Sequence, residues 1–293
     1  MPTETCIITY DDMGNLDRLL NTIAAQVLSE VIVDEVIIIS TEKFRKGIKN
    51  IASGYPFQFR YFFEKERTGK YNAVNIFFSL AASEVLVLCS GDIFLEKDAI
   101  ECICLPLKNE KTGVVAAHPI PRCLPDTPLG YTISSLWKLH HQVSLSSPKF
   151  GEMIALRNLK LILPSTGADE EMIAYLITSQ GYGKEYASKS IVYNYGARTV
   201  SDFIKQRRRI YCSHLLLRKN CRYTASTMDT FHLLSLFAAD ATIDKGKFLH
   251  MICCVFLEGS SRILGYFDYL AGKDYTVWPI LQKDTFLDSS ALE

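Results

Sequence analysis

The sequence predicts an α/β fold in which a mainly parallel central sheet is flanked by helices and followed by a helical C-terminal extension. Two observations predict the sheet. Short apolar runs alternate with segments of helical periodicity, and polar residues close the apolar runs. A third observation predicts the extension, because apolar residues recur at helical spacing from about residue 221. Strands that alternate with helices form parallel sheets covered on both faces.

Each element follows from a local pattern. Apolar or alternating runs predict the first strands over residues 5–9 (TCIIT), 31–39 (VIVDEVIII), 57–63 (FQFRYFF) and 85–89 (VLVLC). Helical spacing between these runs predicts helices near 16–27, 41–52 and 68–82. The later patterns predict a strand over 113–117, a proline-rich loop over 118–128, a helix over 131–143, extended structure over 150–156 and apolar helices over 221–269.

Polar residues stand where three of these strands end. Thr9, Tyr10 and Asp11 close the first strand, Ser40 closes the second, and Ser90-Gly91-Asp92 closes the fourth. Open sheets of this class bind ligands beyond the carboxyl ends of their strands. The sequence therefore predicts a binding site at this edge.

Composition limits the classes of partner and the compartment. The 293 residues carry 32 lysines and arginines against 32 aspartates and glutamates, which argues against broad electrostatic binding of nucleic acid. The nine cysteines follow no paired zinc spacing and suit reduced thiols, so a cytoplasmic protein is expected. No secretory signal is expected at the start, and no apolar run is long enough to span a bilayer.

Two charged strings suggest the chemistry of the site. Asp169-Glu170-Glu171 precedes an apolar helical stretch, and Gln206-Arg207-Arg208-Arg209-Ile210 interrupts another. Acidic residues also cap helices, and a run of arginines is often only solvated. Together, however, a carboxylate and a guanidinium fork suit a site that removes a proton and holds a diphosphate.

Five segments resemble family 2 glycosyltransferases of the GT-A fold. They are CIITYDDMGNLDRLLNTI, RTGKYNAVN, VLVLCSGD, ADEEMIAYLITSQGY and QRRRI, in the family's order, and the resemblance spans roughly residues 4–215. It implies a catalytic domain over 1–220 with a helical extension over 221–293. It also implies a hexosyltransferase-like, metal-dependent enzyme that transfers a sugar with inversion from a nucleotide-diphosphate donor to an acceptor hydroxyl.

The sequence departs from the family pattern at two motifs. The metal-binding DxD motif reads Ser90-Gly91-Asp92, so the resemblance leaves Asp92 as the ligand of Mg²⁺ or Mn²⁺, and one carboxylate with phosphate oxygens can hold such an ion. The final tryptophan of the QxxRW motif is Ile210, which implies a non-processive enzyme.

The resemblance also implies roles for individual residues. The general base is Asp169 or Glu170: counting back from Gly181-Tyr182 favours Glu170, whereas the shorter side chain at a helix start favours Asp169. The expected nucleotide and diphosphate contacts are Thr9, Tyr10, Asp11, Ser40, Arg67, Lys70, Gln206 and Arg209. The expected acceptor region contains Trp137, His140 and Glu152.

Two other functions stay open at this point. A degenerate protein could bind nucleotide sugars without turnover, and a nucleotidyltransferase could use a related scaffold. The expected partners are a nucleotide-sugar donor and a glycan or lipid acceptor, and the oligomeric state is left open. Three apolar clusters in the extension, which begin at Leu233, Phe248 and Ile263, are expected to pack on the domain, with peripheral contact to the inner face of the membrane as the alternative.

Overall fold

An eight-stranded sheet forms the centre of the fold in a computed structural model, which describes residues 1–9, 13–123, 127–241 and 248–277. The strands are β1 (Pro2–Ile8), β2 (Ile32–Thr41), β3 (Phe59–Glu64), β4 (Val85–Ser90), β5 (Ile93–Leu95), β6 (Thr112–Arg122), β7 (Met153–Arg157) and β8 (Gly183–Tyr195). The helices are α1 (Met13–Ala24), α2 (Arg45–Ala52), α3 (Lys70–Leu80), α4 (Ala99–Cys104), α5 (Pro128–Ser144), α6 (Asp169–Thr178), α7 (Val200–Cys221), α8 (Thr230–Ala241) and α9 (Phe248–Leu270).

The sheet is mixed: four of its strand pairings are parallel, in line with the predicted mainly parallel sheet, and three are antiparallel. Its strand order is β3-β2-β1-β4-β7-β6-β8-β5. The first four strands in this order are parallel, as predicted, and β6 and β8 are also parallel. In contrast, β7 is antiparallel to both β4 and β6, and β5 is antiparallel to β8. Regular alternation of strands and helices ends at β4, and local patterns do not specify the direction of strands that follow longer connections.

The first five residues of the segment predicted as a proline-rich loop, 118–122, belong to β6. Residues 118–122 pair with β8, whereas pairing with β7 ends at Ala116. A proline cannot donate a ladder hydrogen bond, so it is tolerated where a strand lacks a second neighbour. Pro119 and Pro121 lie in that part of β6, which explains why their presence did not end the strand. The long strand β8 was not predicted at all.

Apolar residues of the strands pack on both faces of the sheet. In β1, Ile7 faces the layer of α1, α2 and α4, while Cys6 and Ile8 face the layer of α3 and α6. Neighbouring strand residues point to opposite faces, so a strand buried on both sides reads as a continuous apolar run. This is why residues 5–9 and 85–89 were recognisable as strands.

The C-terminal helices α8 and α9 pack against α5 and α7 of the sheet domain. Helix α9 contacts α7 and α5, and α8 contacts α5. The division into 1–220 and 221–293 stays a prediction. Among the described residues, no helix combines the length and the apolarity that crossing a membrane would need.

Gly265 allows α9 to approach α7 closely. A Cβ atom at this position would lie 2.6 Å from the carbonyl oxygen of Arg208, which is backbone and cannot rotate away. Gly259, six residues earlier on the same helix, has nothing within 4 Å of such an atom. Packing of α9 on α7 therefore requires glycine at position 265 but not at position 259, and Gly259 can serve as the control for substitutions at Gly265.

We expect Gly265→Ala to lower the free energy of unfolding, because α9 must move away from α7. The size should be of the order of 1–3 kcal/mol, as for other over-packed sites. Gly259→Ala should instead raise stability by roughly 0.5–1 kcal/mol through helix propensity. Urea unfolding of both variants tests this, and equal effects of the two substitutions would contradict the close approach.

Candidate active site

One cavity of about 820 Å³ collects most of the residues that the sequence singled out. It lies beyond the carboxyl ends of β1 and β4, and the first residues of α3 and α6 and one side of α5 and of α7 complete its wall. The predicted residues that line it are Thr9, Arg67, Lys70, Asp92, Trp137, His140, Glu152, Asp169, Glu170, Gln206 and Arg209.

Three predicted residues are not part of this wall as described. Ser40, at the end of β2, is fully buried and is not a lining residue of the cavity. Tyr10 and Asp11 lie outside the described residues. Their proposed contacts with the nucleotide stay predictions.

Glycine is required between Ser90 and Asp92 because two strand ends meet there. The Gly91 amide donates to the carbonyl oxygen of Ile8 over 3.0 Å. A Cβ atom at Gly91 would lie 2.7 Å from the Cβ of Thr9 and 2.8 Å from the same carbonyl. The close contact between β1 and β4 therefore fixes where the Asp92 carboxylate enters the cavity.

Lys70 connects the end of β4 with the start of α6. It is the first residue of α3 and follows Gly69, whose φ of 112° is a conformation that favours glycine. The Lys70 ammonium donates to the hydroxyl of Ser90 over 3.2 Å and forms an ion pair with Glu170. Ser90 stands where the family motif has its first aspartate, so a neutral hydroxyl here leaves the lysine to pair with Glu170.

Asp169 and Glu170 share the first turn of α6 but have different surroundings. The side chain of Asp169 is 2% exposed, and its Oδ1 is buried with no hydrogen-bond partner. Glu170 is neutralised by Lys70. The third acid, Glu171, also lines the cavity, but both of its oxygens are engaged, since they accept hydrogen bonds from the Phe150 amide (3.1 Å) and the Tyr223 hydroxyl (3.0 Å).

The electrostatics of the two carboxyl groups differ in the same way. Burial, together with the neighbouring Glu170 carboxylate, raises the pKa of Asp169 to about 7, despite the positive charges of Lys70 and Arg209. Burial also opposes ionisation of Glu170, but the Lys70 ammonium outweighs it and lowers the pKa of Glu170 below its ordinary value. A carboxyl group that exchanges a proton near neutral pH suits general base catalysis.

Helix α7 sends its three consecutive arginines in different directions, because neighbouring residues on a helix lie about 100° apart. Arg207 forms a bidentate pair with Glu258, and Arg208 forms one with Asp268. Arg209 is close enough to influence the ionisation of Asp169. Burial lowers the pKa of Arg209 to about 10, so the guanidinium stays charged at neutral pH.

The predicted acceptor residues form the wall contributed by α5 and the segment before β7. The rings of Trp137 and His140 meet edge to face with centroids 5.2 Å apart, and the ammonium of Lys149 lies 5.0 Å from the Trp137 ring centroid. Glu152 accepts a hydrogen bond from the Asn194 amide over 3.2 Å, while its Oε2 is buried without one. Aromatic surface beside fixed polar groups is typical of small-molecule sites.

Sequence reasoning missed several lining residues, chief among them Lys149, Asn194, Arg207 and His214. Helical spacing relates His214 to Arg207, because residues seven apart share one side of a helix, whereas the neighbouring Gln206 lies about 100° away. Burial and the nearby Lys149 and Arg207 charges lower the pKa of His214 to about 3, so its imidazole is neutral. Lys149 and Asn194 lie on a loop and an unpredicted strand, and no local signal marked them.

The donor groups in the cavity fit a hard divalent ion. Such ions take carboxylate oxygens and complete their coordination with phosphate oxygens and water. Asp92 lines the cavity, and Glu152 belongs to the same wall, with its Oε2 in an ion pair with the Lys149 ammonium at 3.9 Å. Within the described ranges, no group of three or more histidine, cysteine or acidic residues forms a cage, so the protein would supply one or two carboxylates.

Comparison with known proteins identifies the family and the fold. Residues 5–154 match the family described as Glycosyl transferase family 2, and no curated protein matches the chain. The mannosyltransferase PcManGT from Pyrobaculum calidifontis, solved with GDP-Man and Mn²⁺, is similar at a TM-score of 0.65 and 16% identity over 92% of this chain and 87% of that one.

Two further structures are similar at a TM-score of 0.50. A mycobacterial protein is 14% identical over 76% of each chain. GalNAc-T7, solved with UDP, GalNAc and Mn²⁺, is 12% identical over 66% of this chain and 43% of that one. At such identities these structures support the fold, which is that of GT-A glycosyltransferases. The family match spans half of the sequence, and the five segments that resemble the family all contribute residues to one cavity. The chain therefore belongs to glycosyl transferase family 2.

Proposed function

We propose that this protein is an inverting glycosyltransferase that moves a sugar from a nucleoside diphosphate donor to an acceptor hydroxyl. The observation that carries the proposal is the buried, unbonded Oδ1 of Asp169 in a cavity that is also lined by Lys70, Arg209 and Asp92. One anionic base beside fixed cations suits deprotonation of an acceptor and departure of a diphosphate. A binder without turnover would not need a carboxyl group poised to exchange protons.

The chain's own residues divide this work between two ends of the cavity. Asp169 accepts the proton of the acceptor hydroxyl, and Glu170 is held by Lys70 so that it does not compete. Arg67, Lys70 and Arg209 face the diphosphate, with Thr9 and Gln206 beside it. Asp92 would hold Mg²⁺ or Mn²⁺, which neutralises charge on the leaving diphosphate when bound.

The acceptor side is proposed to lie at Trp137, His140 and Glu152. Burial holds the pKa of His140 well below its ordinary value, so it offers a neutral imidazole that can share a hydrogen bond with a hydroxyl. Ile210 lines the cavity where the family pattern has tryptophan, and we propose that transfer is non-processive. The proposed acceptor hydroxyl belongs to a glycan or to a lipid.

Thermal unfolding of the parent protein and of the Asp92→Asn variant tests both donor binding and the role of the metal. We expect nucleoside diphosphates and nucleotide sugars to raise the melting temperature more with Mn²⁺ than without it, since a ligand of the native state stabilises it. The substitution should remove the Mn²⁺-dependent increment and leave the metal-free increment nearly unchanged. A Mn²⁺-dependent increment of full size in the variant would contradict the role of Asp92.

The pH dependence of transfer should follow Asp169. A base acts when deprotonated, so kcat/KM should rise about tenfold per pH unit below pH 7 and level off above it, given a pKa of about 7 for this group. Glu170→Gln removes the neighbouring carboxylate that raises the pKa of Asp169, so the rise should move to lower pH. If Glu170 were the base, the same substitution would abolish transfer at every pH.

A further inference from the structure

Helix α9 has the reverse of the polarity expected for a helix on a protein surface. Its two acids, Glu258 and Asp268, point inward and are ion-paired with Arg207 and Arg208 of α7. Arg262 also turns inward and donates to Glu258 over 2.8 Å. A surface helix normally buries its apolar side and exposes its charges.

The outer side of α9 is apolar along its described length. Leu249 is 70% exposed, Phe256 69% and Phe267 59%. No charged residue belongs to this outer side, whose exposed large residues are Leu249, Ile252, Val255, Phe256, Ile263, Leu264, Tyr266, Phe267 and Leu270. The packing that the sequence analysis expected for the second and third apolar clusters is therefore not seen for these side chains. Contiguous apolar surface of this kind marks a site of association.

Cations border this apolar surface at one end. Lys219 holds its ammonium 5.9 Å from the ring centroid of Tyr269 on α9, and the adjacent Arg218 and Arg222 are exposed. Lys273, three residues after the end of α9, is half-exposed and pairs with Asp268. Asp274, which follows Lys273, is an exposed acid. The exposed Arg218, Lys219 and Arg222 outnumber it, so this border is positively charged.

We propose that the outer side of α9 lies in the surface of an anionic lipid bilayer, with Arg218, Lys219 and Arg222 among the lipid headgroups. A 23-residue helix with one apolar side has the form of an interfacial helix. Each lysine or arginine near an anionic leaflet adds to binding, and this attraction weakens with salt. The two acids of α9 are paired on the inner side, so the outer side of this helix adds no negative charge that would oppose the attraction.

A bilayer fits this surface better than a second copy of the chain does. Protein interfaces carry about one hydrogen bond per 100–200 Å², whereas the outer side of α9 offers few groups that could form them, such as the hydroxyl of Tyr266. In a two-fold contact the same surface meets itself, and the outer side of α9 carries no acid that could pair with the cationic border of the other copy. Lipid requires no such pairing and supplies the opposite charge.

Flotation of the full chain with vesicles tests the proposal without any donor or transfer, so its outcome is independent of the proposed activity. We expect binding to vesicles of phosphatidylcholine with phosphatidylglycerol, weakened at high salt, and weaker binding to phosphatidylcholine alone. The double substitution Phe256→Ser with Phe267→Ser should reduce binding by about tenfold or more, since both rings leave water on binding. Lys219→Glu with Arg222→Glu should remove the preference for the anionic vesicles.

The matched control is Ile162→Ser, which removes an apolar side chain that is 82% exposed and lies outside α9. It should leave vesicle binding unchanged, and equal circular dichroism melting of all variants shows that each is folded. Binding that survives the double phenylalanine substitution would overturn the proposal. So would a chain that ignores vesicles and forms a dimer, seen by light scattering, that the same substitutions dissociate.

Discussion

Replacing Asp169 by asparagine should lower the rate of sugar transfer by about 100-fold or more, the usual scale for loss of a general base. Donor affinity should change little, because the proposed donor contacts are Arg67, Lys70 and Arg209 rather than Asp169. The two measurements are initial rates with saturating donor and isothermal titration of the nucleotide. Asparagine keeps the shape of the side chain, so the folded structure should persist.

Three outcomes of this experiment are distinguishable. A large loss of rate with unchanged donor affinity supports Asp169 as the base. A mild effect of Asp169→Asn combined with a large effect of Glu170→Gln would exchange the roles of the two residues. Mild effects of both would reject the mechanism, while the family assignment, which does not depend on either residue, would stand.

Replacing Glu258 by glutamine should lower the free energy of unfolding by roughly 3–5 kcal/mol, as expected when a buried ion pair loses one partner. Glu258 is 13% exposed, and its two partners Arg207 and Arg262 are 15% and 14% exposed. The substitution leaves two guanidinium groups without a counter-charge in a poorly solvated place. Urea unfolding of the variant and the parent measures the loss.

The surface pair Arg45–Glu42 provides the matched control, because its side chains are 48% and 44% exposed. Glu42→Gln should have little measurable effect, as is usual for solvated pairs. Adding Arg207→Gln to Glu258→Gln should cost less than the sum of the single substitutions, because the unpaired charge is removed as well. Additive losses would show that the two residues do not stabilise the protein as a pair.

This pair also predicts how stability depends on pH. Burial opposes ionisation of Glu258, but Arg207 outweighs it and lowers the pKa of Glu258 to about 2. Because the pKa is lower in the folded state, the stabilisation is present at neutral pH and disappears as pH falls from the ordinary range of glutamate towards 2. The Glu258→Gln variant should lack this part of the acid sensitivity.

The local sequence pattern was sufficient to predict the core strands of the sheet and the edge of the sheet at which the cavity lies. Short continuous apolar runs such as 85–89, bounded by polar residues, are typical of strands buried on both faces, and the residues that follow parallel strands reach one edge of the sheet. Thr9 and Asp92, which follow two such runs, both line the cavity. Ser40 follows the same pattern and is nevertheless buried outside it, because the pattern marks a strand end without fixing which side chains face the ligand.

The sequence by itself determined the α/β class, the family strings and the edge at which they meet, because these follow from periodicity along the chain. Only the tertiary structure decided which groups pair with one another there. It paired Glu170 with Lys70 and left Asp169 buried beside them, a difference between adjacent residues that depends on a lysine 100 positions away. It also turned Glu258 and Asp268 of α9 inward, since their arginine partners lie on another helix, and so left the apolar side of α9 outward. Charges and burial of this kind arise between distant segments, and no local pattern contains them.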